Sequence, residues 1–167
     1  MIRRIALLTA GMLLVSGLAF AQASDNGTAT AEILAAIELA NVTGLDFGTI
    51  AAGNQASVVT IAASSAGTRS LGSGDAYLIT TAQGHSAEFE VTAGNALPYT
   101  LSFTDSTITI THLSTTDTMT VDLTIDAATG SGTGVAFSHY VGGDLNIAAL
   151  QEPGIYTGTF ELNAIYQ

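Results

Sequence analysis

The closing segment, residues 154–167, largely alternates between apolar and polar side chains. One parity carries Tyr156, Phe160, Leu162, Ala164 and Tyr166, and the other carries Thr157, Thr159, Glu161 and Asn163. Successive side chains of a β-strand point to opposite faces of a sheet, so a period of two indicates a half-buried strand. We therefore predict one strand after the turn at residues 152–154, with its aromatic side chains facing a core.

Other segments with strand character are short and separated by turns. They cover residues 44–50, 56–63, 76–81, 86–92, 97–104, 107–111, 119–126 and 135–147. The clearest is 119–126, where Met119, Val121, Leu123 and Ile125 alternate with polar residues. We expect 64–74 to be a loop and 135–147 to be interrupted at its two glycines, Gly142 and Gly143. Short strands that each have one solvent-exposed polar face predict an all-β, antiparallel two-sheet β-sandwich.

Residues 30–40 are ambiguous between helix and strand. Their composition favours a helix, with Ile33, Leu34 and Ile37 on one stripe. As a strand, the same segment places Ile33, Ile37 and Leu39 on one face. We favour the strand, because pairing with neighbouring strands often overrides local propensity.

Residues 1–23 have the form of a signal peptide. A basic start with Arg3 and Arg4 precedes an apolar stretch, and A-x-A sites predict cleavage after Ala21 or Ala23. The apolar stretch is short and no stop-transfer pattern follows, so we expect no membrane insertion after the signal is removed. We predict export to the periplasm and surface of a Gram-negative-type bacterium, or to the medium. Residues 24–40 are then an N-terminal strand, and 41–167 the sandwich domain.

The exported chain is strongly acidic and has no cysteine. Loss of Arg3 and Arg4 changes the formal charge from −11 to −13 and leaves Arg69 as the sole Lys or Arg. One cation cannot neutralise phosphates or an anionic membrane surface, so we expect neither nucleic acid nor lipid as a partner. Without disulfides, packing of the apolar core must hold the fold.

The sequence contains few groups that could perform chemistry. His85, His112 and His139 show no short metal-ligand spacing, and the aspartates do not form a calcium-binding loop of the D-x-D-x-D-G type. No nucleophile motif occurs, and the glycine-rich residues 130–134 lack the lysine of a phosphate loop. We therefore expect no enzyme activity, no cofactor and no metal, although a calcium-dependent adhesion domain remains a weaker alternative.

Three stretches together resemble the bacterial family named domain of unknown function 4402. They are Ala-Thr-Ala-Glu-Ile (29–33) continuing to Leu-Asp-Phe-Gly-Thr-Ile-Ala-Ala-Gly (45–53), Leu-Asn-Ile (145–147), and Gly-Ile-Tyr-Thr-Gly-Thr-Phe (154–160) with the final Tyr166-Gln167. The last stretch is also similar to the ending of spore-coat-U-like and other chaperone–usher pilin subunits. That resemblance implies an immunoglobulin-like sandwich that polymerises by strand donation, with a periplasmic chaperone and an outer-membrane usher as partners.

Strand donation assigns expected roles to two groups of residues. The donor residues would be Thr28 and Thr30, or Ile33, Ile37 and Leu39; the residues contacting a chaperone or lining the groove would be Tyr156, Phe160, Leu162 and Tyr166. Our first hypothesis is thus a subunit of a pilus-like surface fibre that binds copies of itself or related subunits. The alternative is a monomeric secreted sandwich that binds a glycan or surface ligand, with Tyr77 and Tyr140 as exposed aromatics. In that case residues 24–40 would be the first strand of a complete sandwich.

Overall fold

The computed structural model describes residues 22–167, so the predicted signal peptide lies outside the described residues as far as Ala21. Residues 33–167 form one compact unit, and residues 22–32 form neither helix nor strand. Within 22–167 no helix could span a membrane. The strands of this part of the chain are β1 (Glu38–Thr43), β2 (Ile50–Ala51), β3 (Ser57–Ile61), β4 (Arg69–Ser73), β5 (Tyr77–Leu78), β6 (Ala87–Thr92), β7 (Pro98–Phe103), β8 (Thr107–His112), β9 (Thr118–Ile125), β10 (Thr129–Ser131), β11 (Phe137–Ile147), β12 (Tyr156–Thr157) and β13 (Leu162–Tyr166).

Two sheets account for most of these strands. The large sheet has the order β1-β6-β11-β9-β8-β12, with β3 and β4 added beside the second half of β11. The small sheet has the order β10-β7-β13, and β2 pairs with β5. Every pairing is antiparallel. The all-β, antiparallel prediction is confirmed, and the arrangement is sandwich-like; the immunoglobulin-like topology remains a prediction.

The core contains side chains from both sheets. Val121 and Leu123 of β9 are buried on the large sheet, and Tyr99 and Leu101 of β7 are buried on the small one. The predicted inward face of residues 119–126 is confirmed, because these apolar positions are buried or packed against the core. Burying one such side chain stabilises the fold by about 1.5–3 kcal/mol.

Two predictions about strand boundaries were wrong. Residues 135–147 are not interrupted, because β11 runs unbroken through Gly142 and Gly143. A Cβ atom at Gly142 would overlap the carbonyl oxygen of Ile61. The glycine therefore allows the backbone of β11 to approach the backbone at the end of β3 closely. Residues 64–74 are not all loop, since they include β4. This strand is mostly exposed and has no alternating apolar face that would reveal it in the sequence.

Residues 30–40 form no helix, and only their end is a strand. β1 begins at Glu38, and residues 30–37 have no regular secondary structure. The strand interpretation therefore holds from Glu38 onward, where pairing with β6 supplies the hydrogen bonds.

The closing segment is two strands, not one, and this prediction was wrong. β12 pairs with β8 at the border of the large sheet, whereas β13 pairs with β7 in the small sheet. Residues 158–161 connect the two sheets. Gly158 lies against the backbone of Thr109 and Ile110, where a Cβ would not fit, and the chain leaves the large sheet from there. Phe160 then fills the space between the sheets, with its ring 5.8 Å from that of Phe89.

Candidate functional site: two open strand edges

β13 forms a sheet edge with unpaired backbone groups. Hydrogen-bonded pairs alternate along an antiparallel ladder. The amide of Gln167 donates to the carbonyl of Pro98 (3.1 Å), which places Ile165 and Asn163 among the residues bonded to β7. The N–H and C=O groups of the alternate residues, Leu162 and Ala164, therefore point away from β7. No strand within residues 22–167 pairs with that side.

β1 forms a second open edge by the same reasoning. The amide of Asp126 donates to the carbonyl of Tyr140 (3.0 Å), so the even-numbered residues of β11 bond β9 and the odd-numbered ones bond β6. In β6, Glu90 is then left to bond Ala40 of β1. The backbone groups of Leu39 point outward, although its side chain packs against the core.

Tyr166 connects the two open edges at one end. Its hydroxyl donates to the carbonyl of Ala35, just ahead of β1, at 3.0 Å, and accepts from the amide of Gly94 at 2.9 Å. Both edges thus lie on the same side of the sandwich, where the first strand of the large sheet meets the last strand of the small one. An added strand at this seam would meet core-facing residues of both sheets.

The two edges differ in how well they are protected. Natural edge strands avoid unwanted pairing through charges, bulges, prolines or short length. β1 carries Glu38 and an irregular register between Asn41 and Thr43, and the Asn41 side-chain amide donates to the carbonyl of Thr43 at 2.9 Å. By contrast, β13 spans Leu162–Tyr166 in regular register, with no charged residue and no proline. β13 is therefore the less protected edge.

The structure separates the predicted donor residues into two groups. Ile37 and Leu39 are half-buried and pack against the core of their own subunit. Thr28 and Thr30 are exposed, and Ile33 is 93% exposed. Only the segment ahead of Ala35 could therefore be donated without dismantling the core.

The structure also separates the predicted closing-strand residues. Leu162 is buried and Tyr166 half-buried on β13, where both adjoin the open edge. Tyr156 lies on β12, at the opposite border of the large sheet, and its hydroxyl donates to the carbonyl of Glu152 (2.7 Å). Phe160 belongs to the connection between the sheets. The four residues do not form one continuous contact surface.

Arg69 organises a region that the sequence did not single out. Its guanidinium donates to four backbone carbonyls, those of Phe47 (2.9 Å), Thr49 (3.1 Å), Ala82 (3.0 Å) and Ile79 (2.6 Å). It forms no ion pair with a carboxylate of residues 22–167. The Leu-Asp-Phe-Gly-Thr stretch thus supplies carbonyls to the one Lys or Arg in this part of the chain. In the sequence, the only indication of this role was that Arg69 is the single Lys or Arg of residues 22–167 among many acidic residues.

A buried polar group connects the sheets through His139. The ring Nε2 lies 2.8 Å from the hydroxyl of Tyr99, and Nδ1 lies 3.2 Å from a carboxylate oxygen of Asp126. The neutral imidazole fits both contacts, with Nδ1–H donating and Nε2 accepting. Burial, and then the negative charge of Asp126, raise the pKa of Tyr99 above its ordinary value. Tyr99 is 2% exposed and cannot reach a substrate, so this arrangement holds the sheets together.

The other two histidines, His85 and His112, make only local contacts. His112 accepts from the amides of Ser114 and Thr115, while the Nδ1 atom of His85 lies near the carbonyl of Ser86. Residues 22–167 contain no group of three or more His, Asp or Glu side chains placed to hold a metal.

Asp122 lies on the outer face of the large sheet. Hydrogen bonds from Thr107 and then Asn146 lower the pKa of its carboxyl group. These bonds are fully exposed to solvent and link β8, β9 and β11, so they are best explained as support for the sheet surface.

Comparison with known proteins identifies the family. The model of the family described as "Domain of unknown function (DUF4402)" matches residues 37–166. The chain belongs to this family. The match begins at the core-packed Ile37 and includes both open edges. No curated protein and no solved structure matches the chain.

Proposed function

We propose that this DUF4402 protein is an exported subunit of a pilus-like surface fibre, assembled by donation of the segment ahead of Ala35 to the β13 edge of the next copy. The observation that carries the proposal is the regular, uncharged open edge of β13. The proposed role is structural and includes no catalysed reaction. We place the protein between the periplasm and the cell surface.

The free segment is long enough to act as a donor strand. Residues 24–34, called the arm below, can extend to about 36–40 Å. Five strand residues such as those of β13 span only about 17 Å. The fully extended arm is therefore about twice as long as the edge with which it would pair.

The parity of the arm selects which side chains enter the neighbour. Glu32 shares a parity with Thr28 and Thr30, and a carboxylate is costly to bury. Ile33 has the opposite parity, with Ala29 and Ala31. We therefore propose that Ile33 enters the groove of the receiving copy and that Thr28 and Thr30 face solvent. Burial of the Ile33 side chain would contribute about 1.5–3 kcal/mol, in addition to the backbone ladder.

The test introduces the same charged residue at two positions of opposite parity. Ile33→Asp should weaken self-association by roughly 10- to 100-fold, because it places a charge in the groove. Thr30→Asp introduces the same charge on the outer face and should leave association nearly unchanged. The readout is the SDS-resistant ladder of unheated mature protein, together with negative-stain microscopy for fibres. Equal ladders for the two variants, or no ladder in the unmodified protein, would refute strand donation.

The receiving edge can be tested independently of the arm. Ala164→Pro removes an N–H that points away from β7, so the small sheet keeps its own hydrogen bonds. We expect this variant to remain folded by circular dichroism but to accept no arm. A periplasmic chaperone, if it covers the same edge before delivery to an outer-membrane usher, should also lose binding to this variant. Normal assembly of a folded Ala164→Pro variant would exclude β13 as the acceptor.

A second candidate function is a monomeric module that binds a glycan or another surface ligand. The observation in its favour is the 67% exposed side chain of Tyr77 on β5, an aromatic surface to which a sugar ring could bind. Tyr140 is half-buried on the large sheet. Glycan binding by a protein that stays monomeric, and loss of that binding in Tyr77→Ala, would favour this alternative.

A further inference from the structure

Several exposed apolar side chains lie at the end of the sandwich from which the arm emerges. We call this end the upper pole and define it as residues 33–37, 93–98 and 132–137. Val135 is 66% exposed and Phe137 is 54% exposed. Backbone hydrogen bonds hold the last two segments together, for example from the amide of Gly134 to the carbonyl of Ala93 (3.0 Å). The pole is therefore a connected surface.

The upper pole is also free of charge. None of its three segments contains an Asp, Glu, Lys or Arg residue, although the exported chain carries a formal charge of −13. Two copies of so acidic a protein repel each other over most of their surfaces. An uncharged, apolar region is where a second copy can approach at the least electrostatic cost.

The root of the arm is fixed at the same pole. The Tyr166 hydroxyl bonds the carbonyl of Ala35 and the amide of Gly94, which belongs to the pole. Ile33 is only two residues from Ala35, a reach of about 7 Å in an extended chain. A copy that binds Ile33 must therefore lie close to the upper pole of the donor.

We infer that the copy that receives the arm also covers Val135 and Phe137 of the donor, so that each joint has a second, apolar contact. This inference rests on the proposed function, because the arm determines which molecule lies against the pole. It adds that the joint is asymmetric. The upper pole of the donor is buried in the joint, whereas the upper pole of the acceptor is not.

A joint between two full-length variants tests this asymmetry. An acceptor carrying Ile33→Asp can receive an arm but should give its own about 10- to 100-fold more weakly, and a donor carrying Ala164→Pro can give an arm but cannot receive one. Mixing them should produce a 1:1 complex that does not grow, measured by light scattering and calorimetry. Phe137→Asp in the donor should weaken this complex by about tenfold, whereas the same substitution in the acceptor should change its affinity by less than about twofold.

Leu113→Asp provides the matched control. Leu113 is 63% exposed and lies next to Ile155 beyond the other end of the sheet, where its amide donates to the carbonyl of Ile155 (2.9 Å). Placed in the donor, it should leave the affinity unchanged. If Phe137→Asp in the donor has no effect, or acts equally in both partners, the inference is overturned and strand donation stands. If the Ile33→Asp acceptor and the Ala164→Pro donor, without any further substitution, form no complex, the proposed function itself fails.

Discussion

Replacement of Arg69 by methionine should loosen the two segments whose carbonyls it binds, residues 46–51 and 77–85. The substitution keeps much of the apolar stem but deletes the hydrogen bonds to four carbonyl oxygens. A hydrogen bond to a charged group contributes about 1.5–3 kcal/mol. Because Arg69 is only half-buried, water can replace part of this bonding. We expect a net loss of about 3–5 kcal/mol in the free energy of unfolding, a large fraction of the 5–15 kcal/mol typical of domains.

Arg69→Lys separates charge from geometry. An ammonium keeps the positive charge but lacks the planar fork that reaches carbonyls on both sides. We expect this variant to lose about 2–3 kcal/mol, most of the methionine effect. Ser70→Ala, on the exposed neighbouring position of β4, is the control and should change stability by less than about 0.5 kcal/mol.

The measurement is urea denaturation followed by far-ultraviolet circular dichroism, since the chain has no tryptophan. With a slope of about 1–3 kcal/mol per molar urea, a loss of about 3–5 kcal/mol lowers the midpoint by about 1–5 M. Hydrogen exchange should accelerate first at the amides of Thr49 and Ala82, whose bonds lie beside the guanidinium. If lysine restores full stability, the charge alone matters and the carbonyl geometry does not.

Three further predictions concern pH and packing. Burial and then a neighbouring carboxylate raise the pKa of Tyr99. The contribution of neutral Tyr99 to the free energy of unfolding is therefore complete below about pH 10 and declines as pH rises through the folded-state pKa. Tyr99→Phe should flatten the alkaline fall in the urea midpoint. Hydrogen bonds from Thr107 and then Asn146 lower the pKa of Asp122. Their contribution to the free energy of unfolding is therefore present above about pH 4 and lost as pH falls through the folded-state pKa. Asp122→Asn should flatten the acid side of the plot of urea midpoint against pH. Gly142→Ala should lower Tm by about 6–12 °C, whereas Gly44→Ala, which has open space around it, should shift Tm by less than about 2 °C in calorimetry.

The strands with one buried and one wet face were predictable from the sequence. The strand predicted at residues 119–126 matches β9 to within one residue at each end and has the correct inward face. The prediction succeeded because apolar and polar residues alternate there without a break. Strands without that contrast were missed. β4 is exposed on both faces, and the buried glycines of β11 carry no side chain to show a parity.

The candidate site was only partly predictable, because it depends on which strands lack a neighbour. The sequence placed Leu162 and Tyr166 on one face, and the structure agrees. It could not show that the chain changes sheets before Leu162, because the parity of Tyr156 and Phe160 continues across the connection. The roles of Arg69 and His139 depend on partners that are distant in the sequence.

The direction of β1 determines how the subunit would respond to tension. The strand starts at the end of the sandwich where residues 33–37 lie, and it continues along β6 in antiparallel pairing. A pull on the preceding chain, directed away from that end, would load the β1–β6 ladder lengthwise. Its hydrogen bonds would then have to break together in shear instead of peeling apart one at a time. Resistance to force therefore depends on the rate at which this ladder ruptures, a kinetic property separate from equilibrium stability.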